Sequence, residues 1–267
     1  MTRPAVRNTR GRAVLWLPGL LLLVLAACGD DGVDRAPRGE SDRKLPAFDA
    51  RLARNGERHY RDPDFGRTGV ACADCHSDAD ESVVIEGVVR AGHSLVGAAG
   101  RTSVWNGEFT GADIAATAAG AAKCAHEYQE RGESLRAALA PEEAAALLAY
   151  FAAISTGAEA KTLRWEAPPR PGQKGFVKEA FVREMESILR LRGNAERGIE
   201  LFSAACALCH GDNARGSGPP LRRLRDYADR VPALVRGGSD AMPFFSRDRL
   251  SDQDIADLRE YILRAAR

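Results

Sequence analysis

The sequence predicts an all-α chain of two small domains joined by a proline-rich linker, on three observations. The stretches "ACADCHSD" (71–78) and "AACALCHG" (204–211) repeat one pattern, so that Cys72, Cys75 and His76 stand in the same relative places as Cys206, Cys209 and His210. Each copy is followed, further along, by a segment with apolar residues at helical spacing. "LAPEEAAALLAYFAAIS" aligns Ala144, Leu147, Leu148, Phe151 and Ile154, and "LSDQDIADLREYILRAAR" aligns Ile255, Leu258 and Ile262. Between the two halves, "TGAEAKTLRWEAPPRPGQKG" holds three prolines and no periodicity. A length of 267 residues with 45% hydrophobic content suits two modest domains better than one large core.

Taken in order, the chain begins with Arg3, Arg7, Arg10 and Arg12 ahead of an apolar run from Ala13 to Ala27, too short to span a membrane comfortably. Residues 1–27 therefore read as an export signal. The run ends in Leu25, Ala26, Ala27 and Cys28, which resembles the lipobox of bacterial lipoproteins. That resemblance implies a lipid on Cys28 and anchoring to the periplasmic side of a membrane, the alternative being an ordinary signal cleaved nearby. Removing residues 1–27 takes away four positive charges and moves the formal net charge from +1 to −3, which gives no reason to expect a nucleic-acid partner. Residues 28–46, charged and poor in apolar side chains, read as a flexible tether.

The first domain is expected over 47–155, a linker and a helix over 156–193, and the second domain over 194–267. The helix in "FVKEAFVREMESILRLRG" has no evident packing partner in the sequence. In the second domain, "AERGIELFSAACALCHG" predicts a helix with Ile199 and Phe202 on its apolar side, and Ser251 with Asp252 and Asp254 marks the start of the closing helix.

In an exported chain, four paired cysteines could simply form disulfides. Bridges leave unexplained the histidine that directly follows each pair. Cys-x-x-Cys-His is the attachment signature of c-type haem: the thiols bond to the haem edge, and the adjacent imidazole binds the iron. The expectation is two covalently bound c-type haems, held by Cys72, Cys75 and His76 and by Cys206, Cys209 and His210. Zinc is the weaker alternative, because each cluster lacks an obvious fourth ligand.

About 70 residues of the second half resemble class I cytochrome c, which implies a cytochrome c-like haem domain with two helices crossing beside the haem. Met242, in "GGSDAMPFFSRDRLSDQD", is the sole methionine after the second motif and stands where that family carries a thioether ligand. Thioether ligation raises the reduction potential and fills the second axial position.

The first half has no methionine between His76 and Met185. Its sixth ligand is then Cys124, His93 or His126, or the position is open. The stretches "AGHSLVGAAGRTSVWNG" and "KCAHEYQERGESL" and the helix "LLAYFAAIS" resemble the haem domain of thiosulfate-oxidising cytochromes, namely thiosulfate dehydrogenase and the haem subunit of the Sox system. That resemblance implies a second cytochrome c-like domain with Cys124 on iron and a basic residue near an anionic substrate, for which Arg101 is the candidate. "GERHYRDPDFGRTGVACADCH" is also similar to the stretch before the first attachment site of dihaem peroxidases of the MauG type, which implies a displaceable ligand, with His93 in that role. The leading expectation is a membrane-anchored dihaem electron-transfer cytochrome, its first haem lower in potential than its His/Met second haem, exchanging electrons with periplasmic or membrane redox proteins. Oxidation of thiosulfate and reduction of peroxide are the enzymatic alternatives.

Overall fold

Each half of the chain is built on one helix pair crossing at a glycine. The structure, a computed structural model, describes residues 49–81, 86–105, 107–110, 114–155, 171, 175–211, 218–239 and 241–265. The expected export signal, the tether with Cys28 and most of the proline-rich stretch lie outside these residues.

Helix α1 (Ala50–Arg61) begins at Asp49, whose carboxylate accepts hydrogen bonds from the Arg51 and Leu52 amides at 2.9 and 3.0 Å. Its buried face is narrow: Ala53, Gly56 and Tyr60. The first Cys-x-x-Cys-His motif forms the single turn α2 (Cys72–Cys75), where Asp74 caps the Ala71 amide at 2.8 Å. An antiparallel pair of two-residue strands, β1 (Ser103–Val104) and β2 (Phe109–Thr110), departs from the all-helical expectation. Helix α3 (Ile114–Gln129) carries Cys124, and α4 (Pro141–Ile154) starts with a proline and Glu143, whose carboxylate accepts from the Ala140 amide at 2.9 Å. Along α4, Leu147, Leu148 and Phe151 are buried as the periodicity requires, and Ala146 and Tyr150 are buried with them.

Helix α5 (Lys178–Leu189) follows, and its buried Met185 and Ile188 join the core of the second half, which supplies the packing partner that its sequence does not reveal. Helix α6 (Ala195–Ala205) is capped by the Asn194 side chain and leads into the second motif on α7 (Ala207–His210). The turns α8 (Leu221–Leu224) and α9 (Val231–Gly237) precede the closing helix α10 (Asp252–Ala265). Ser251 and Asp254 cap α10 reciprocally, the Ser251 amide donating to Asp254 at 2.8 Å and the Asp254 amide to Ser251 Oγ at 3.1 Å. Ile199 corrects the expectation for α6: it is 49% exposed. The buried stripe there is Ala195, Gly198, Leu201 and Phe202, and Ile199 falls just beyond its edge.

The buried apolar residues form two clusters. One, around Tyr60, Leu147, Leu148 and Phe151, holds α1 and α4; the other, around Phe202, Leu250, Ile255 and Leu258, holds α6 and α10. The crossings repeat residue for residue. A Cβ placed on Gly56 of α1 would lie 2.0 Å from the Ala146 carbonyl oxygen and 2.8 Å from Tyr150 Cβ. One on Gly198 of α6 would lie 2.2 Å from the Asp257 oxygen and 2.6 Å from Tyr261 Cβ. An aromatic residue one turn after each glycine meets that tyrosine, Tyr60 with Tyr150 at 5.3 Å and Phe202 with Tyr261 at 5.4 Å between centroids. The described residues all belong to one compact unit. None of its helices is long and apolar enough to cross a membrane.

Candidate haem-attachment sites

Both Cys-x-x-Cys-His motifs fold the same way because a single helical turn brings two cysteines three residues apart onto one face, with the histidine at its end. The amide of His76 donates to the Cys72 carbonyl, and that of His210 to the Cys206 carbonyl, each at 2.9 Å. None of Cys72, Cys75, Cys206 and Cys209 is in a disulfide, and neither is Cys124. Burial pushes the Cys72 thiol up to about 11 and those of Cys75 and Cys206 to about 12, so all three are held protonated.

The two imidazoles are oriented alike. Nδ1–H of His76 donates to the His93 carbonyl at 2.7 Å, and Nδ1–H of His210 donates to the Pro219 carbonyl at 2.8 Å. A carbonyl only accepts, so the proton sits on Nδ1 and the lone pair on Nε2 is left to bind a metal. Burial holds His76 down at about 4, which keeps it neutral. Directly before each acceptor comes a glycine flush with the ring: a Cβ on Gly92 would lie 2.3 Å from His76 Cε1, and one on Gly218 2.7 Å from His210 Cε1. Backbone bonding of the fixed-tautomer kind is the usual outer support of a ligating histidine. The donor set fits a c-type haem at both motifs. It does not fit a bare ion, since among the described residues no three His, Cys, Asp or Glu side chains converge to hold one.

Around the first site, Arg90 Nε donates to the Ala73 carbonyl at 2.9 Å, the Gly92 amide donates to the Cys75 carbonyl at 2.8 Å, and Tyr60 donates its hydroxyl to the His76 carbonyl. Gln129, buried at the end of α3, donates to the Val70 carbonyl at 2.8 Å, with Cys72 Sγ 3.9 Å away. None of these supporting groups is evident from the sequence.

The structure brings Cys124 to the first motif. Its thiol is pushed far up by burial, and Cys72 and Cys75 lie close enough to add to the shift. His126 is turned to the loop after α3, with Nδ1 3.1 Å from the Arg131 carbonyl. His93 meets His76 through its backbone carbonyl, which accepts from His76 Nδ1, while its own ring meets Arg249. Arg101 donates from Nη2 to the Ser94 carbonyl at 2.6 Å, and burial lowers its pKa. Its charge acts on the His76 imidazole. At the second site, Met242 lies in the loop before α10, held by a two-way backbone bridge with Ser239 at 2.8 and 3.1 Å, and packs, like Cys206, against the apolar cluster of the second half.

Comparison with known proteins places the second half in a wide family. A family model described as cytochrome c oxidase, cbb3-type, subunit III, matches residues 193–262. A cytochrome c-553-like protein of Synechocystis sp. is 35% identical over 82 residues, covering 29% of this chain and 75% of the relative. Cytochrome c6 of Cyanidium caldarium is 38% identical over 81 residues, covering 27% and 72%. A cytochrome c6-like protein of Nostoc sp. is 35% identical over 81 residues, covering 27% and 72%. With relatives at this level of identity covered over most of their length, the chain belongs to the cytochrome c family.

Proposed function

We propose that the chain is a dihaem c-type cytochrome that transfers electrons, with one haem on Cys72, Cys75 and His76 and the other on Cys206, Cys209 and His210. Bound haem iron supplies a one-electron couple at each site. The observation that carries the reading is the twin support of the two histidines: the same Nδ1–H to carbonyl bond and the same glycine against the ring at both motifs. The matching glycine crossings of α1 with α4 and α6 with α10 support two cytochrome c-like lobes, the first ending near Ser155 and the second starting near Asn194.

The sixth ligands differ in this reading. Met242 serves the second site, on the strength of its place in the loop before α10, packed against the same apolar cluster as Cys206. Cys124 serves the first, since it is partly buried on α3 and lies within electrostatic range of Cys72 and Cys75. The His93 carbonyl supports Nδ1 of His76. This reading does not call on His93 as a ligand of the first haem, because its carbonyl is engaged with His76 and its ring with Arg249. A thiolate lowers the potential and a thioether raises it, so electrons pass downhill from the first site to the second. Residues 1–28 make the protein an exported lipoprotein in this account, anchored through Cys28 and serving periplasmic or membrane redox proteins.

Thiosulfate oxidation is the second reading, motivated by the electrostatic coupling of Cys124 to Cys72 and Cys75 and by the charge of Arg101 acting on His76. A redox titration combined with low-temperature EPR of the oxidised protein tests the proposal. Two separate potentials are expected, with a thiolate-type ferric signal that is lost in Cys124→Ala. A single shared potential overturns the directional transfer, and an unchanged spectrum in Cys124→Ala removes that ligand. Failure of thiosulfate to reduce the purified protein removes the second reading alone.

A further inference from the structure

A chain of contacts runs from the second half of the protein to the back of the first-site histidine. Arg249, just ahead of α10, points Nη2 at Nδ1 of His93 at 2.5 Å and at the Glu81 carboxylate. His93 Nε2 faces Asp248 at 3.6 Å, and the His93 carbonyl is the acceptor for His76 Nδ1–H. Glu81 also accepts from the Ser94 amide at 2.7 Å, which pins the residue next to His93. The backbone reinforces the link: the Val89 amide donates to the Ala204 carbonyl at 3.0 Å, shortly before Cys206, and Ala91 is buried in the core of the second half. The stretch 89–93 thus supports His76 on one side and belongs to the packing of the second motif on the other.

We propose that Arg249 is a positioning residue for the first haem site, acting through His93 on His76, and that the opposed charges of Arg249 and Glu81 bias the potential of that site. The proposal rests on the dihaem reading above. Arg249 is the donor that fixes the His93 ring, and a fixed ring fixes the carbonyl on which His76 depends. The guanidinium is largely buried, at 16% exposure, so its field is only partly screened. A positive charge beside the centre favours the electron-rich, reduced state. Removing Arg249 leaves Glu81 and Asp248 beside His93 without that cation, and the reduced state is disfavoured. Removing the charge of Glu81 acts in the opposite direction.

The test is spectroelectrochemical titration and low-temperature EPR of the full haem-loaded chain, with the second haem as internal control. Arg249→Ala is expected to lower the potential of the first centre and alter its ferric EPR signal while the second centre keeps its own. The expected size is about fivefold in the oxidised-to-reduced ratio at fixed ambient potential, as for one partly screened charge. Arg249→Lys restores most of the potential, because it returns the charge. Glu81→Gln, which keeps an acceptor for the Ser94 amide, raises the potential. Opposite signs for the two charge removals support the proposal. It is overturned when both variants move the same way, when both centres move together, or when neither moves. Should Arg249→Ala fail to load haem, the sign of the Glu81→Gln shift decides. A wild-type chain that shows only one haem has failed the dihaem reading, which is a different result from two intact haems indifferent to Arg249.

Discussion

The Nδ1–H of His76 donates to the backbone carbonyl of His93, and this bond leaves the lone pair of the other imidazole nitrogen, Nε2, uncommitted to that bond. Its counterpart joins His210 to Pro219. The orientation of each imidazole is therefore set by main chain, which a side-chain substitution perturbs only through the space it fills.

Gly92→Ala tests that constraint. A Cβ at 2.3 Å from Cε1 of His76 cannot be accommodated unless the ring or the segment moves. The variant is expected to change the Soret and ferric EPR signals of the first haem and to cost about 1–3 kcal/mol, the usual range for overpacking a filled site. Gly218→Ala is expected to do the same at the second haem alone. EPR of the two variants side by side assigns each signal to its motif.

Gly56→Ala and Gly198→Ala probe the two helix crossings. On an open helix, replacing glycine by alanine is favourable by about 0.5–1 kcal/mol. Here the new Cβ would meet carbonyl oxygens at 2.0 and 2.2 Å, so the sign reverses and each variant is expected to lose about 1–3 kcal/mol. Thermal melts followed by circular dichroism measure it.

Met242→Ala is expected to open the second haem to an added ligand. Carbon monoxide or imidazole should bind the second centre of the variant and leave the wild-type second centre untouched. Titration followed in the visible spectrum checks the difference.

The pairing of Arg236 with Asp252 gives the pH dependence a sign. Arg236 is nearly buried, and its Nη2 donates to Asp252 at 2.6 Å. Burial pushes the Asp252 carboxyl up, and the Arg236 hydrogen bond together with Arg247 outweighs this, so it titrates below the ordinary 3.8. A carboxylate lowered in the folded state contributes stability above its unfolded value and loses that contribution as pH falls through the folded one. Asp252→Asn is expected to cost about 1–2 kcal/mol near neutrality, discounted because Asp252 is partly exposed. The gap from wild type in denaturant melts should close as the pH drops below 3.8.

Legibility in the sequence followed periodicity. The motifs and helices α4 and α10 were visible because cysteine spacing and an apolar stripe are local patterns, and Leu147, Phe151, Ile255 and Leu258 are buried where that stripe requires. Helix α1 was not visible, since its core face is only Ala53, Gly56 and Tyr60 among charged residues. The matched supports of the two histidines escaped notice for another reason: the acceptor lies 17 residues after His76 but 9 after His210, so the loops differ in length and no repeat registers. His93 invites attention for its ring, yet its carbonyl is the group that reaches His76. Ile199 was misplaced because a residue one step beyond a helical stripe reads as apolar whether or not a neighbour covers it.

The mass of the exported, mature polypeptide tests the central claim most directly. Two added haem groups are expected in the wild type, with one lost in a Cys72→Ser, Cys75→Ser double variant and the other lost in Cys206→Ser, Cys209→Ser. A wild-type polypeptide carrying a single haem, or none, contradicts the account.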